Sequence, residues 1–318
     1  MTATYMYFSA VLAVALLVTV LAVVVHRAGR LRAERVGALL QRRYMRIVTM
    51  MMTDGRHAGS RFPMIGRPGA KEVLARVLVL VASSSYGADR ALLERLVAEN
   101  GVDRWLLRRV RLTGGYTRAR YLSLIASLPV GPHVVKRVSR YAQSRNRYVR
   151  FYTLMVRVVS DPSQALKTMA GYREPFTGFE VAEIMAMLRR GLFPVAYGPL
   201  LESPVRNLRV IGLNIVRQFG IEEAERALLR MVGNDPVSEL CHEAIYTLAS
   251  MHLPITRREI VRRVWSMDRG ERKALCRRLA REGYSVAALG RLFDNDETRY
   301  VDSLVSSYKR SIACNRPG

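Results

Sequence analysis

Two short patterns in the 318-residue sequence place chemically competent side chains near the spacings of known sites. His242-Glu243 begins a zinc-protease pattern, but Tyr246 occupies the position of the second histidine ligand. The segment 66–71, GRPGAK, has the glycines and the lysine of a phosphate-binding loop, but it lacks the adjacent Gly-Lys pair and the required spacing. Because neither pattern is complete, the sequence predicts no catalytic residue, no metal ligand and no cofactor, and we expect a protein that is not an enzyme.

The cysteine content indicates a reducing compartment. The chain has three cysteines, which are odd in number and far apart: Cys241, Cys276 and Cys314. This pattern argues against a disulfide framework and against metal-ligand spacing, and it is typical of a cytoplasmic domain.

Arginine is the residue type that offers chemistry here, because its guanidinium group binds carboxylates and phosphates. The chain carries 51 basic and 26 acidic residues, with a net charge of +25. Between residues 101 and 160 there are thirteen basic residues, interleaved with tyrosines, and a single acid, Asp103. This imbalance predicts an anion-binding surface, since an uncompensated cationic surface repels itself. The alternative is a solvated face, with the tyrosines packed in the core.

Six residues of this stretch are the candidate partner-binding or anion-binding site. Arg147 and Arg150 lie three residues apart on a helix predicted to start near Asn146, so they share a face. Arg137 and Arg140 have the same spacing on the preceding predicted helix. We expect the two helices to present one cationic surface, named here the arginine ridge: Arg137, Arg140, Arg145, Arg147, Tyr148 and Arg150.

An uncharged apolar segment, residues 5–25, lies near the N-terminus. As a helix, its 21 residues span about 31 Å, which matches a bilayer core of about 30 Å. A cleaved secretory signal is the alternative, but it requires a basic region before the apolar stretch, and none is present. Because arginines follow the segment, the positive-inside rule predicts an outside N-terminus. We expect residues 1–26 to anchor a single-pass protein of the inner (cytoplasmic) membrane, with its bulk in the cytoplasm.

A basic juxtamembrane helix is predicted at residues 27–54. Its apolar residues recur at helical spacing on one face: Val36, Leu39, Leu40, Ile47, Val48 and Met51. Its arginines either contact acidic lipid headgroups or act only as the topology signal. These lipid-headgroup candidates are Arg27, Arg30, Arg32, Arg35, Arg42, Arg43 and Arg46. Residues 55–69 contain four glycines and two prolines, and they are predicted to form a linker loop.

From residue 70 onward the sequence predicts one helix after another and no convincing strand, and these helices include 131–143, 205–219, 237–251 and 297–311. The segment 203–205, Ser-Pro-Val, precedes an apolar helix, and Asp-Pro-Val repeats this turn 32 residues later at 235–237. This pattern resembles HEAT-type repeats, closely over 200–312 and more loosely over 88–190. The resemblance implies an all-α solenoid of helical hairpins at 70–318, since stacked hairpins bury apolar faces that one hairpin cannot. A generic helical bundle is the alternative.

These observations favour a scaffold over an enzyme. We expect a membrane-anchored adaptor that binds an integral or membrane-associated protein through its basic solenoid surface, and a membrane glycosyltransferase or a secretion complex would be such a partner. Two alternatives use the same charge: binding of nucleic acid through phosphate contacts, and binding of anionic lipid. Nucleic acid is the less natural partner, because the chain has a predicted membrane anchor and no recognised nucleic-acid motif.

Overall fold

The computed structural model describes residues 2–54, 61–84, 90–190, 196–235, 238–299, 301–303 and 306. Side chains are described in those ranges except at 2–15, 22, 25, 28–33, 54 and 286. Within these limits the backbone forms sixteen α-helices and three short 3₁₀ helices, and no strand is present. The predicted all-α fold class is therefore confirmed.

Contacts between residues divide the chain into two compact units, Met1–Pro162 and Ser163–Gly318, named here unit 1 and unit 2. The sequence predicts a single repeat domain at 70–318, and the boundary between the units falls inside it. Pro162 lies at this boundary, where its missing backbone N–H prevents the preceding helix from continuing.

Unit 1 contains seven α-helices in its described part: α1 (Thr2–Asp54), α2 (Ala70–Ser84), α3 (Arg90–Glu99), α4 (Val102–Leu112), α5 (Gly115–Ala126), α6 (Pro132–Val138) and α7 (Arg147–Ser160). Helix α7 is central, because nine of its 14 residues are buried, and it packs on α5 and α6. The Asn146 side chain accepts a hydrogen bond from the Val149 backbone N–H at 3.1 Å, which caps the start of α7. The predicted start of this helix near Asn146 is confirmed.

Helix α1 is one continuous helix, so the predicted helix at 27–54 extends without a break from the predicted anchor at 1–26. Most side chains of the anchor segment lie outside the described residues. Among the residues that are described, no helix combines the length and the apolarity that crossing a membrane requires.

The C-terminal part of α1 packs on the rest of unit 1 through Tyr44, whose side chain is fully buried. Its hydroxyl donates a hydrogen bond to the Pro63 carbonyl at 2.9 Å, and its ring meets the Phe62 ring edge-on at 5.2 Å. The Phe62 backbone N–H in turn donates to the Asn100 side-chain oxygen at 3.0 Å. Residues 61–69 of the predicted linker are thus packed against the helices rather than free, whereas residues 55–60 lie outside the described part.

Unit 2 contains the remaining nine described α-helices: α8 (Ala165–Ala170), α9 (Gly178–Arg189), α10 (Tyr197–Leu201), α11 (Arg206–Phe219), α12 (Glu225–Asn234), α13 (Ser238–Ser250), α14 (Arg258–Ser266), α15 (Arg269–Arg281) and α16 (Val286–Leu289). Helices α9, α11, α13 and α15 pack side by side in one layer. Helix α10 pairs with α11, α12 pairs with α13, and α12 also packs on α14. These contacts among the described helices are compatible with stacked helical hairpins.

The turns of unit 2 explain this regular stacking. The Ser203 hydroxyl accepts a hydrogen bond from the Val205 N–H at 3.1 Å, immediately before α11 begins. Gly220 ends α11 in the left-handed region, with φ +59°. Gly212 lies where α10 approaches α11 so closely that a Cβ there would stand 2.9 Å from Leu200 Cβ. The predicted helices at 205–219 and 237–251 are confirmed to within one residue at each end.

Two other predicted helices differ from the structure. The segment 131–143 is not one helix, since α6 ends at Val138 and a 3₁₀ turn, Ser139–Tyr141, follows it. The Ser139 hydroxyl donates to the Val135 carbonyl at 2.8 Å, a local hydrogen bond that competes with the helix. The last predicted helix, 297–311, falls mostly outside the described residues.

Candidate interaction surfaces

The arginine ridge lies at the junction between α6 and α7. Arg137 belongs to α6, Arg140 to the 3₁₀ turn and Arg145 to the loop before α7, and all three side chains are exposed. Arg147 and Tyr148 form the first turn of α7, where Arg147 is half-buried and Tyr148 is exposed. Most of the predicted ridge residues are therefore at least half-exposed and lie on three consecutive elements of unit 1.

Arg150 differs from the exposed ridge residues, because it is half-buried and its guanidinium donates to two carbonyls of the chain, whereas Arg140 donates only one such bond, to the Arg137 carbonyl at 2.9 Å. The Arg150 Nη1 donates to the Ser144 carbonyl at 2.6 Å and to the Arg145 carbonyl at 3.0 Å. Arg272 of unit 2 repeats this contact, since its Nη1 donates to the carbonyl of Met267, also five residues earlier, at 3.4 Å. Arg150 thus closes the turn before α7, and its inclusion among the outward-facing ridge residues is a sequence-based expectation that the geometry corrects.

Exposed tyrosines border the ridge and orient its arginines. Tyr116 is 74% exposed and meets the Tyr148 ring edge-on at 6.3 Å. The guanidiniums of Arg118 and Arg140 lie 4.8 Å and 5.7 Å from the centre of the Tyr141 ring, within the range of a cation–π contact. The other two tyrosines of this stretch are buried in the core: Tyr121 and Tyr152.

The ridge has almost no local charge compensation. Asp103, the single acid between residues 101 and 160, is buried, and its carboxylate lies 3.0 Å from His133 Nε2. No ion pair joins any of three ridge arginines to a described carboxylate: Arg137, Arg140 and Arg145. Their charge is therefore available to a group outside the chain.

A second basic surface lies on α1, where the predicted apolar face is divided between core and solvent. Leu40, Val48 and Met51 are buried against unit 1, whereas Val36 is 40% exposed and Leu39 is 67% exposed. The exposed part forms a groove of about 740 Å³, named here the α1 groove, with an apolar floor: Val36, Leu39, Leu40, Ile47 and Met64. Its basic rim consists of Arg42, Arg43, Arg46 and Arg67.

The remaining lipid-headgroup candidates precede the α1 groove in the chain. Arg27 and Arg35 are exposed on α1. The side chains of Arg30 and Arg32 lie outside the described part. The groove itself combines residues from α1 with residues from the 61–69 segment, and sequence periodicity within α1 alone does not reveal such a combination.

Several arginines of unit 2 pair with carboxylates on neighbouring helices. Glu243 on α13 binds both Arg278 on α15, whose Nη2 is 2.8 Å from Oε2, and Arg217 on α11 at 3.7 Å. Arg206 on α11 pairs with Glu239 on α13. These pairs border a groove of about 440 Å³ across α9, α11, α13 and α15. The sequence patterns considered above do not predict this groove, although its arginines and glutamates recur 33 to 35 residues apart, close to the repeat length.

The partly or fully buried titratable side chains of unit 2 include Cys241, His242 and Cys276. Burial lowers the pKa of His242, whose Nε2 lies 3.3 Å from the Ser238 hydroxyl. Burial also raises the pKa of the Cys276 thiol to about 11 and raises the pKa of Cys241, so both thiols stay protonated at neutral pH. Among the described residues, no group of three His, Cys, Asp or Glu side chains is placed to hold a metal ion.

No protein-family model matches the chain, and no curated protein matches it either. The stacked hairpins of unit 2 are compatible with a helical-repeat solenoid. Function must therefore be argued from the surfaces themselves, because a fold of this type hosts many activities.

Proposed function

We propose that this protein is a membrane-anchored scaffold whose basic helical surface binds an acidic face of a membrane-associated partner protein. A glycosyltransferase or a secretion complex of the inner membrane is a partner of this kind. The role requires no catalysis by this chain. The observation that carries it is the exposed arginine ridge, which has tyrosines beside it and no ion pair between Arg137, Arg140 or Arg145 and a described carboxylate.

The anchor is proposed from residues 5–25, which contain no charge and are long enough for a bilayer core. The described leucines and valines between residues 16 and 24 are each more than half exposed. A continuous apolar surface of this kind is unfavourable in water and favourable in lipid. Because arginines follow the segment, it would direct the N-terminus outside and the chain from residue 27 onward into the cytoplasm.

The HEAT-type assignment is proposed for unit 2. Its two layers repeat, and polar contacts join equivalent positions of consecutive hairpins: Arg206 with Glu239, and Ser238 with Glu271, both 33 residues apart. Unit 1 lacks this regular ladder in its described part. Repeat proteins of this type present long surfaces to partner proteins, which is the property a scaffold needs.

The chemistry of the ridge favours carboxylates as its ligands. Guanidinium groups form bidentate hydrogen bonds with carboxylates, and arginine and tyrosine are the residues most enriched at interface hot spots. Tyr116 and Tyr148 add apolar ring area beside the charge. A partner with aspartates and glutamates around an apolar patch satisfies both features.

The test is purification of the tagged full-length protein from native membranes in mild detergent, followed by quantitative mass spectrometry. The test variant carries Arg137→Glu, Arg140→Glu and Arg145→Glu. The matched control carries Arg226→Glu, Arg258→Glu and Arg262→Glu, which produce the same charge change on exposed residues of unit 2. We expect a stoichiometric partner with the wild-type and control proteins, and a loss of about 100-fold in affinity with the ridge variant.

One result would contradict the role of the ridge, and another would contradict the scaffold itself. If both triple variants lose the partner equally, net charge rather than the ridge holds the complex. If the pure protein carries no partner but does carry nucleic acid that dissociates with salt, phosphate binding replaces the scaffold as the function.

A further inference from the structure

The α1 groove contains an apolar surface that the protein itself leaves uncovered. Leu39 is 67% exposed and Val36 is 40% exposed, although both belong to the apolar side of an amphipathic helix. Their neighbours Leu40 and Val48, on the same helix, are buried. The groove therefore offers apolar contact area next to a surface already packed on unit 1.

The charge around the groove indicates the sign of its occupant. Four arginines and no acid line it, and none of the four forms an ion pair with a described residue: Arg42, Arg43, Arg46 and Arg67. A second copy of the same helix would bring the same arginines and would be repelled. An occupant with carboxylates beside apolar side chains is complementary.

The position of the groove along α1 indicates that its occupant is a protein rather than a lipid. Val36 follows Val25, the end of the proposed membrane segment, by 11 residues, which corresponds to about 16 Å of helix. The headgroup layer extends only about 5–7 Å beyond the hydrocarbon core. Even with a helix tilt of about 40°, the groove begins about 13 Å from the core. Acyl chains end well before this level, whereas a helix that leaves the membrane beside α1 passes directly along it.

The opposite wall of the groove is held in place before any partner binds. Met64 has a left-handed backbone with φ +59°, which is uncommon for a residue with a side chain. The turn is closed by a hydrogen bond from the Arg67 N–H to the Met64 carbonyl at 3.0 Å. The bond from the Tyr44 hydroxyl to the Pro63 carbonyl ties this wall to α1. A preorganised site loses less entropy on binding.

We propose that the α1 groove binds the juxtamembrane helix of the partner, a segment with an apolar stripe flanked by aspartates or glutamates. This inference rests on the proposed membrane-anchored scaffold, and it specifies a second contact of that scaffold, separate from the arginine ridge. The partner helix lies along α1, with apolar side chains on Leu39 and carboxylates on the arginine rim.

The test is site-specific photo-crosslinking of the full-length protein in native membranes. p-Benzoyl-L-phenylalanine replaces Leu39 in one sample and Met50 in a control sample, because Met50 is also exposed on α1 but does not line the groove. We expect at least about a tenfold higher yield at position 39. Peptide mapping is expected to place the crosslink in an acidic stretch next to a transmembrane span of one protein.

Charge variants extend the test. The groove variant carries Arg42→Glu, Arg43→Glu and Arg46→Glu, and the control carries the same three changes at 226, 258 and 262. We expect the groove variant to lower the yield at position 39 by about tenfold, and the control to leave it unchanged. Lysines placed at the mapped carboxylates of the partner are expected to restore the yield with the groove variant.

Several outcomes would overturn the inference. The first is an equal crosslinking yield at positions 39 and 50. The second is a mapped partner segment without carboxylates. The third is a peptide containing position 39 that gains only the mass of a lipid. If a partner still copurifies but never crosslinks at position 39, the scaffold proposal is retained, and the proposal that the α1 groove binds the partner is contradicted. If an alkaline carbonate wash releases the chain from membranes, the anchored scaffold itself fails, and this inference fails with it.

Discussion

Units 1 and 2 use arginine for different purposes. Residues 1–162 contain 27 basic and 8 acidic residues, a net charge of +19, whereas residues 163–318 contain 24 and 18, a net charge of +6. In unit 2, several guanidiniums pair with carboxylates from other parts of the unit, as Arg272 does with Glu297 at 2.8 Å. In unit 1, Arg137, Arg140 and Arg145 project from the surface without such a pair.

The difference shows that arginine content alone does not identify a binding surface. A guanidinium that bridges two helices contributes to cohesion, and its charge is already neutralised. A guanidinium without a carboxylate raises the local potential and attracts an external anion. The location of the acids therefore decides which arginines are available, and four experiments separate the two groups.

The largest expected effect concerns one of the two most deeply buried ion pairs among the described residues of unit 2. Glu297 is 2% exposed, and its carboxylate binds Arg272, which is 17% exposed. Glu297→Ala leaves that guanidinium with only the Asp294 carboxylate, which is 4.0 Å away, so we expect the largest loss in the free energy of unfolding among the four predictions. Urea unfolding followed by circular dichroism measures it.

The control for this prediction is Asp296→Ala. Asp296 pairs with Arg269 at 3.1 Å, but both side chains are about two-thirds exposed. We expect a change within about 0.5 kcal/mol, because exposed pairs contribute little. Similar losses in the two variants would contradict the view that burial makes the pairs of unit 2 cohesive.

The second prediction compares two residues of the arginine ridge by their contributions to stability. Arg150 donates two hydrogen bonds to carbonyls of the turn before α7, so Arg150→Ala is expected to lower the free energy of unfolding by about 2 kcal/mol. Arg140 is exposed, and Arg140→Ala is expected to change it by less than about 0.5 kcal/mol. The same urea titration checks both variants, and equal losses would return Arg150 to the outward-facing group.

The third prediction uses salt to test self-repulsion. Raising the ionic strength from about 0.1 M to 1 M shortens the screening length from about 10 Å to 3 Å. Hydrogen exchange of the full chain, followed by mass spectrometry, is expected to show greater protection in α5 and α7 at high salt, by about 1 kcal/mol or less. Helices α13 and α15 are expected to lose protection or to stay the same, since salt weakens their ion pairs.

A uniform response of the two units would show that the charge in unit 1 is compensated within the chain. The arginines of unit 1 and unit 2 would then not differ in charge compensation, and the arginine ridge would not be an uncompensated cationic surface. Sodium chloride and sodium fluoride should give the same result, because screening depends on ionic strength rather than on the anion.

The smallest effect is the pH dependence of unit 2 at His242. Burial lowers its pKa below the ordinary value of 6.5, although Glu271 and Glu243 oppose the shift while Arg263 and Arg278 add to it. A base with a lowered pKa binds more protons when unfolded, so its contribution to stability is present above pH 6.5 and is lost as the pH falls below that value. His242→Gln is expected to flatten the unfolding free energy between pH 7 and pH 5, and an unchanged slope would contradict this.

Local sequence signals predicted much of the helical framework. The 3.6-residue periodicity places α11 and α13 to within one residue, and an asparagine in the capping position locates the start of α7. Both signals are local, since they depend on residues within a few positions of each other. The same local logic predicts that Arg137 and Arg140 are exposed, as they are.

Features that depend on distant residues were not predictable in this way. Tyr121 and Tyr152 are core residues while Tyr148 is exposed, although all three have similar neighbours in sequence. The α1 groove needs Met64 to approach α1, and the ion pairs of unit 2 join helices about one repeat apart. Periodicity within one helix contains no information about these long-range contacts.

The attachment of Tyr44 to unit 1 has a mechanical consequence. Helix α1 has 53 residues and is about 80 Å long, and its last turns are fixed through a fully buried ring and a hydrogen bond to the Pro63 carbonyl. Such a helix behaves mechanically as a rod whose C-terminal end is fixed to the rest of unit 1. A torque applied near Thr2 turns unit 1 directly, because the continuous helix contains no joint to absorb it.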